Sequence, residues 1–230
     1  MHGAPVASEV FPQALLLYSG CMSQFADHLT RPSIAELCAA FPRLAESEPA
    51  VALKRAAVAI ALVERDHGHG PALLLTRRSA RLRAHAFQWA LPGGRCDAGE
   101  TATEAALREL QEELNLELAA TDVLGVLDDY PTRSGYLITP VVAWAAGHPP
   151  PRPNPDEVDS VYRISLADIM ADDAFDFVRI PESDRRVVRF RYDGDYMHAP
   201  TAALIYQFRE VLAGRATRVA DLEQPVFAWK

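Results

Sequence analysis

Cysteine is scarce in this chain of 230 residues: Cys21, Cys38 and Cys96 are odd in number and widely spaced. That excludes a disulfide framework and a CxxC metal or redox pair, and it suits a reducing compartment. Long apolar runs are missing as well. Ala14-Leu15-Leu16-Leu17-Tyr18 is far too short to span a bilayer. No lysine or arginine precedes it, so it lacks the charged start of an export signal. The expectation is a cytoplasmic protein with no membrane partner. Positive charge is in deficit. A formal net charge of −8 excludes a general binder of nucleic acid backbones. It also means that an anionic ligand is repelled unless a cation or a local basic patch intervenes.

What remains is enough length and apolar content for one sizeable core. Continuous or alternating apolar runs predict strands at Ala56–Glu64, Ala72–Thr76, Gly125–Tyr130, Tyr136–Ala146 and Glu157–Ile164, the first two forming a hairpin. His148–Pro155, HPPPRPNP, is a stiff extended connector. Ser33 and Glu36 in SIAELCAAF make a capping box for a short helix. Another helix begins at Ser165, and a third runs from Thr201 until Gly214 stops it. Asp193-Gly194-Asp195 marks a hairpin turn. This order predicts an α/β/α sandwich with a mixed β-sheet covered by helices on both faces. Residues 1–50 form an N-terminal extension, 51–214 the main domain and 215–230 a tail. Whether the extension covers a sheet edge or forms a homodimer is left open.

The most informative stretch is Gly94–Leu116, GRCDAGETATEAALRELQEELNL. On a helical wheel of about 100° per residue, Glu109, Glu112 and Glu113 share one face while Leu107, Leu110 and Leu114 share the opposite one. Like charges at these spacings cost roughly 0.2–0.5 kcal/mol per pair, and a hard divalent cation removes that cost. Arg108 lies one turn after Glu104 and one turn before Glu112, able to orient the acidic face. Thr101 is the candidate N-cap. Pro92-Gly93-Gly94 precedes the helix, and two glycines let the backbone approach a ligand closely.

These residues resemble the Nudix box, G-x5-E-x7-R-E-U-x-E-E-x-G-U with U aliphatic. Gly94, Glu100, Arg108, Glu109, Leu110, Glu112, Glu113 and Leu116 fall on motif positions. Asn115 replaces the glycine that ends the helix, and asparagine is the next most tolerant of a left-handed backbone. The preceding stretch, Leu74–Gly94, resembles the signature of the coenzyme A diphosphatase branch, L-L-T-x-R-[SA]-x3-R-x3-G-x3-F-P-G-G. Leu74, Leu75, Thr76, Arg78, Ser79, Arg83, Pro92, Gly93 and Gly94 match. Leu91 stands for the phenylalanine. Phe87 stands for the glycine, which that position needs either for backbone freedom or for room.

The resemblance implies a Nudix-type sandwich that hydrolyses a nucleoside diphosphate linked to another group, using Mg²⁺ or Mn²⁺. Glu109, Glu112 and Glu113 are the expected metal ligands, with Glu100 joining through water or a second ion. Arg108 orients them. The general base is either Glu112 or a loop carboxylate, for which Glu157 is the candidate. Arg78, Arg83, Gly93 and Gly94 are expected to hold the small-molecule nucleotide substrate, since arginine forks suit phosphate oxygens. Coenzyme A or acyl-coenzyme A is the first substrate expectation and ADP-ribose the second. A regulator without catalysis is a third, disfavoured because no box carboxylate is lost.

Overall fold

A computed structural model describes residues 22–44, 53–67, 70–81 and 87–228. Its organising element is β1 (Lys54–Glu64), whose sequence AAVAIALV alternates small and large side chains. Ala57, Ala59, Ala61 and Val63 point to one face, while Val58, Ile60 and Leu62 point to the other. The small residues let a helix approach one side closely. α3 (Ala102–Leu114) occupies it, burying Ala105, Ala106, Leu110 and Leu114 there. Each leucine so buried contributes about 1.5–3 kcal/mol.

β1 pairs antiparallel with β2 (Pro71–Arg78) and with β4 (Gly93–Arg95). On its other edge it pairs parallel with β7 (Tyr136–Trp144), from Lys54 opposite Tyr136 to Leu62 opposite Trp144. A parallel pair needs a crossover connection, and α3 lies within it. β3 (Trp89–Ala90) and β8 (Val158–Ser165) pair with β2, while β5 (Val123–Val126) and β6 (Tyr130–Pro131) pair with β7. Among the described residues this makes one mixed sheet of eight strands. The other face carries α1 (Met22–Asp27), α2 (Arg31–Ala40), α4 (Leu166–Met170) and α5 (Thr201–Leu212). A small antiparallel sheet of β9 (Phe175–Ile180), β10 (Ser183–Tyr192) and β11 (Asp195–His198) joins them. Apolar residues from both layers, including Ile34, Ile169, Phe190 and Phe208, form the second core. The α/β/α sandwich with a mixed sheet is thus as expected.

Three local expectations change. α2 is capped by Thr30, not Ser33. Ser33 sits at the third helical position and donates and accepts reciprocally with Thr30, while Pro32 occupies the first turn, where no N–H is needed. The predicted strand Gly125–Tyr130 breaks in two. Asp128 accepts from Leu44 N–H at 2.8 Å and Asp129 from the Thr139 hydroxyl at 2.6 Å, so this stretch bends to serve neighbours. β9 was not expected at all. Residues from both ends pack into the same body. Phe25, Leu29 and Leu37 enter the core beside α5, and the Tyr130 hydroxyl donates to the Leu222 carbonyl at 2.8 Å. Among the described residues no helix is long and apolar enough to cross a membrane.

Candidate active site

The acidic helix α3 is fixed at both ends by its own side chains. Glu104 N–H donates to the Thr101 hydroxyl at 3.2 Å, and the Glu104 carboxylate accepts from Thr101 N–H at 2.8 Å, a reciprocal capping box. At the other end Asn115 takes a left-handed backbone, φ 51°, as the sequence anticipated. The orphan carbonyls of the last turn are met by the proline-rich connector. Asn154 N–H donates to the Glu113 carbonyl at 2.8 Å and Arg152 N–H to the Leu114 carbonyl at 2.7 Å. The Asn115 side chain returns a bond to the Arg152 carbonyl at 2.9 Å. This docking carries Glu157, two residues past the connector, back to the acidic face.

Arg108 is the hub of that face. Its guanidinium donates to Glu100 at 2.9 and 3.1 Å, to Glu109 at 2.9 Å, to Glu112 at 3.0 Å and to the Arg95 carbonyl at 2.9 Å. Glu100 is therefore tied two-pronged to Arg108, which holds its carboxyl below the usual range, and it also accepts from Asp97 N–H. Glu112 is half-exposed. Glu109 and Glu113 are buried, contrary to a simple solvated face. A side chain at Gly94 would collide with the Glu109 carboxylate, and one at Gly93 with the Ala57 carbonyl. The two glycines thus let β4 lie directly against the acids.

Glu113 differs from its neighbours. Its Oε2 is buried without a hydrogen-bond partner. Burial first, and the Glu109 charge second, push its carboxyl up to about 8. Burial also raises Glu109, partly offset by the hydrogen bond from Arg108. The charge of Glu157 acts on both groups. Arg78 lies near enough to pull Glu113 back down, and its own Nε is buried without a partner. Among the described residues, no three acidic, histidine or cysteine side chains form a preassembled cation cage. Arg108 takes part of that role, spreading its charge over three glutamates. The donor set still fits a hard divalent cation. It offers carboxylate oxygens only, two of the groups are buried, and one oxygen is orphaned.

A cavity of about 650 Å³ opens beside Gly93 and Gly94, with Arg77 and Arg78 on its wall. Arg81, between the two signature arginines Arg78 and Arg83, turns outward to Asp156 at 2.7 Å. Arg83 lies outside the described residues, so its expected contact with substrate stays a sequence reading. Phe87 sits at the cavity mouth, 53% exposed, with φ 60°. The position therefore demands backbone freedom rather than a gap-filling ring. Phe87→Gly is expected to raise the thermal midpoint. A left-handed non-glycine residue costs about 1–2 kcal/mol, and glycine's chain entropy returns about 0.5–1 kcal/mol of that. A lower midpoint in thermal denaturation would mean that the ring packs.

Residues 53–182 match the NUDIX domain, more than half of the chain. The chain belongs to the Nudix family. It is 39% identical over 153 residues to a Nudix hydrolase of Pectobacterium atrosepticum carrying the name "Uncharacterized Nudix hydrolase NudL", covering 63% of this chain and 77% of that one. A protein of the same name from Escherichia coli K12 is 44% identical over 115 residues, covering 50% of this chain and 58% of that one. The solved structure of the Nudix hydrolase RenU from M. smegmatis aligns with a TM-score of 0.46 and 23% identity, over 70% of this chain and 86% of that one. This protein is accordingly a Nudix hydrolase, similar to the NudL proteins, and the expectation of an enzyme holds. The aromatic residues of the cavity wall, Trp89, Tyr196 and Phe227, escaped the sequence reading, because no local pattern joins segments so far apart.

Proposed function

We propose that this Nudix hydrolase is a Mg²⁺- or Mn²⁺-dependent coenzyme A diphosphatase, releasing 3′,5′-ADP and 4′-phosphopantetheine. The carrying observation is Arg78, a residue of the coenzyme A signature, whose charge acts on buried Glu113 and whose side chain lines the cavity that meets Gly93 and Gly94. A bound divalent cation supplies charge neutralisation of the diphosphate oxygens and lowers the pKa of water. Glu113, Glu109 and Glu112 would hold it, and Arg108 keeps the Glu109 and Glu112 carboxylates oriented. Arg77 and Arg78 draw the anionic diphosphate into an otherwise acidic molecule. Glu157 takes the proton from the attacking water. Glu112 is the weaker choice because Arg108 already engages it.

A screen of purified protein with Mg²⁺ against coenzyme A, acyl-coenzyme A, ADP-ribose and NADH tests this, with product masses naming the cleaved bond. Coenzyme A is expected to be cut faster than its 3′-dephospho form by about tenfold to a hundredfold in kcat/KM, the worth of one charge-assisted hydrogen bond. Arg83→Ala is expected to shrink that ratio more than Arg83→Lys, since lysine keeps the charge but loses the fork. A preference for ADP-ribose over coenzyme A of about tenfold or more would overturn the substrate assignment and leave the family chemistry standing.

A further inference from the structure

The cavity beside the acidic helix is lined from two parts of the fold. β2 and β4 supply Arg77, Arg78 and Arg95. β11 supplies Tyr196 and His198, and the C-terminal segment supplies Phe227. Three of the rings on this cavity already carry a cation. Arg77 lies over Trp89 at 5.5 Å, Arg95 over Tyr136 at 5.4 Å and Arg189 over Tyr196 at 4.3 Å. Phe227 is different. Among the described residues its one ring partner is His198, perpendicular to it at 5.2 Å, and the ring is 60% exposed.

The segment that bears Phe227 is firmly held. Glu223 is buried and bridges Val187 of β10. Its carboxylate accepts from the Arg133 guanidinium at 3.0 Å and from the Ser183 hydroxyl at 2.7 Å. Gln224 follows it and accepts Arg133 N–H at 2.6 Å. These anchors precede a tight helical turn, Val226–Ala228, at the cavity rim. A large apolar ring left exposed on a braced segment beside a ligand cavity is an unfilled stacking surface.

We propose that Phe227 is a specificity-determining residue that stacks on the purine ring of the substrate's nucleotide half, and that Glu223 is the positioning residue that holds it there. This rests on the reading above that the substrate is a nucleoside diphosphate derivative. The diphosphate belongs against those arginines and the carboxylates of α3. Of the two groups it links, only the nucleotide ends in a flat π system. The pantetheine arm is a flexible chain of amides with no ring to stack.

Product inhibition separates the two halves. Phe227→Ala is expected to weaken inhibition by 3′,5′-ADP by about fivefold or more, the lower bound of one base–aromatic stack, and to leave inhibition by 4′-phosphopantetheine within about twofold. KM for coenzyme A rises by a similar factor while kcat holds, and Phe227→Trp restores both. Glu223→Gln, compared at equal thermal midpoint, is expected to give the same split between KM and kcat. Unaltered inhibition by 3′,5′-ADP in Phe227→Ala, or an equal loss for 4′-phosphopantetheine, overturns the proposal. Should coenzyme A not be hydrolysed, the substrate reading falls and a second measurement decides the stacking site. The fluorescence of the Phe227→Trp variant, corrected for wild type, is titrated with ADP. A saturating change supports the site, and no change overturns it.

Discussion

Glu113→Gln is expected to lower kcat at least about a hundredfold with Mg²⁺ and, at the same time, to stabilise the metal-free protein at pH 8. The two effects come from one cause. Burial pushes the Glu113 carboxyl up to about 8 from the ordinary 4.5, so the folded protein keeps a proton that the unfolded chain has released. The stability this contributes is fully present below the unfolded value and is lost as pH rises through the folded one. Metal-free wild type should therefore lose stability between about pH 5 and pH 8, by a few kcal/mol in order of magnitude. Glutamine cannot ionise, so the variant should hold its midpoint over the same window. Thermal denaturation in chelator at both pH values, with kcat on the same preparations, makes the check. Parallel stability curves or a near-normal kcat would show that Glu113 is an ordinary packed acid.

The converse experiment adds the cation. Divalent metal binding only the folded state stabilises it by about 2.7 kcal/mol at 100 times Kd. For a chain of this size that is a rise in midpoint of roughly 5–10 °C. The rise should be larger at pH 8 than at pH 5, because the cation must displace the Glu113 proton and is helped when that proton is already leaving. Glu109→Gln and Glu113→Gln should each shrink it. A midpoint that ignores millimolar Mg²⁺ and Mn²⁺, with substrate present as well, would remove the metal from this site.

How much of this was legible depended on the range of the bonds concerned. The Thr101–Glu104 box and the Asn115 cap join residues at most five apart, and the sequence declares them without outside help. The binary pattern of β1 likewise announces a strand buried on both faces. The same local reading erred at Ser33, because both Thr30 and Ser33 can cap and only the observed backbone chooses. It erred at Gly125–Tyr130, where Asp128 and Asp129 answer to Leu44, Arg218 and Thr139, distant in sequence. The helical wheel put Glu109, Glu112 and Glu113 on one face and said nothing of their burial. Burial of Glu109 and Glu113 comes from β4 lying over the helix, which a helical wheel cannot contain. The aromatic cavity wall draws on residues from 89 to 227 and had no signal to read.

The connector HPPPRPNP ties its backbone to the last turn of α3 at Glu113 and Leu114, and Glu157 follows it closely. Its bonds are made by main-chain amides, so they are indifferent to most side chains along it. What they register is distance along the chain. Between Asn154 and Glu157 the segment works as a ruler, its zero mark fixed on the helix and its far end set by the Ser79 N–H bond to the Glu157 carbonyl. Composition there can drift widely while length cannot. One residue inserted or removed would leave the two ends out of register, so that Glu157 could not keep both its bond to Asn154 and its bond to Ser79.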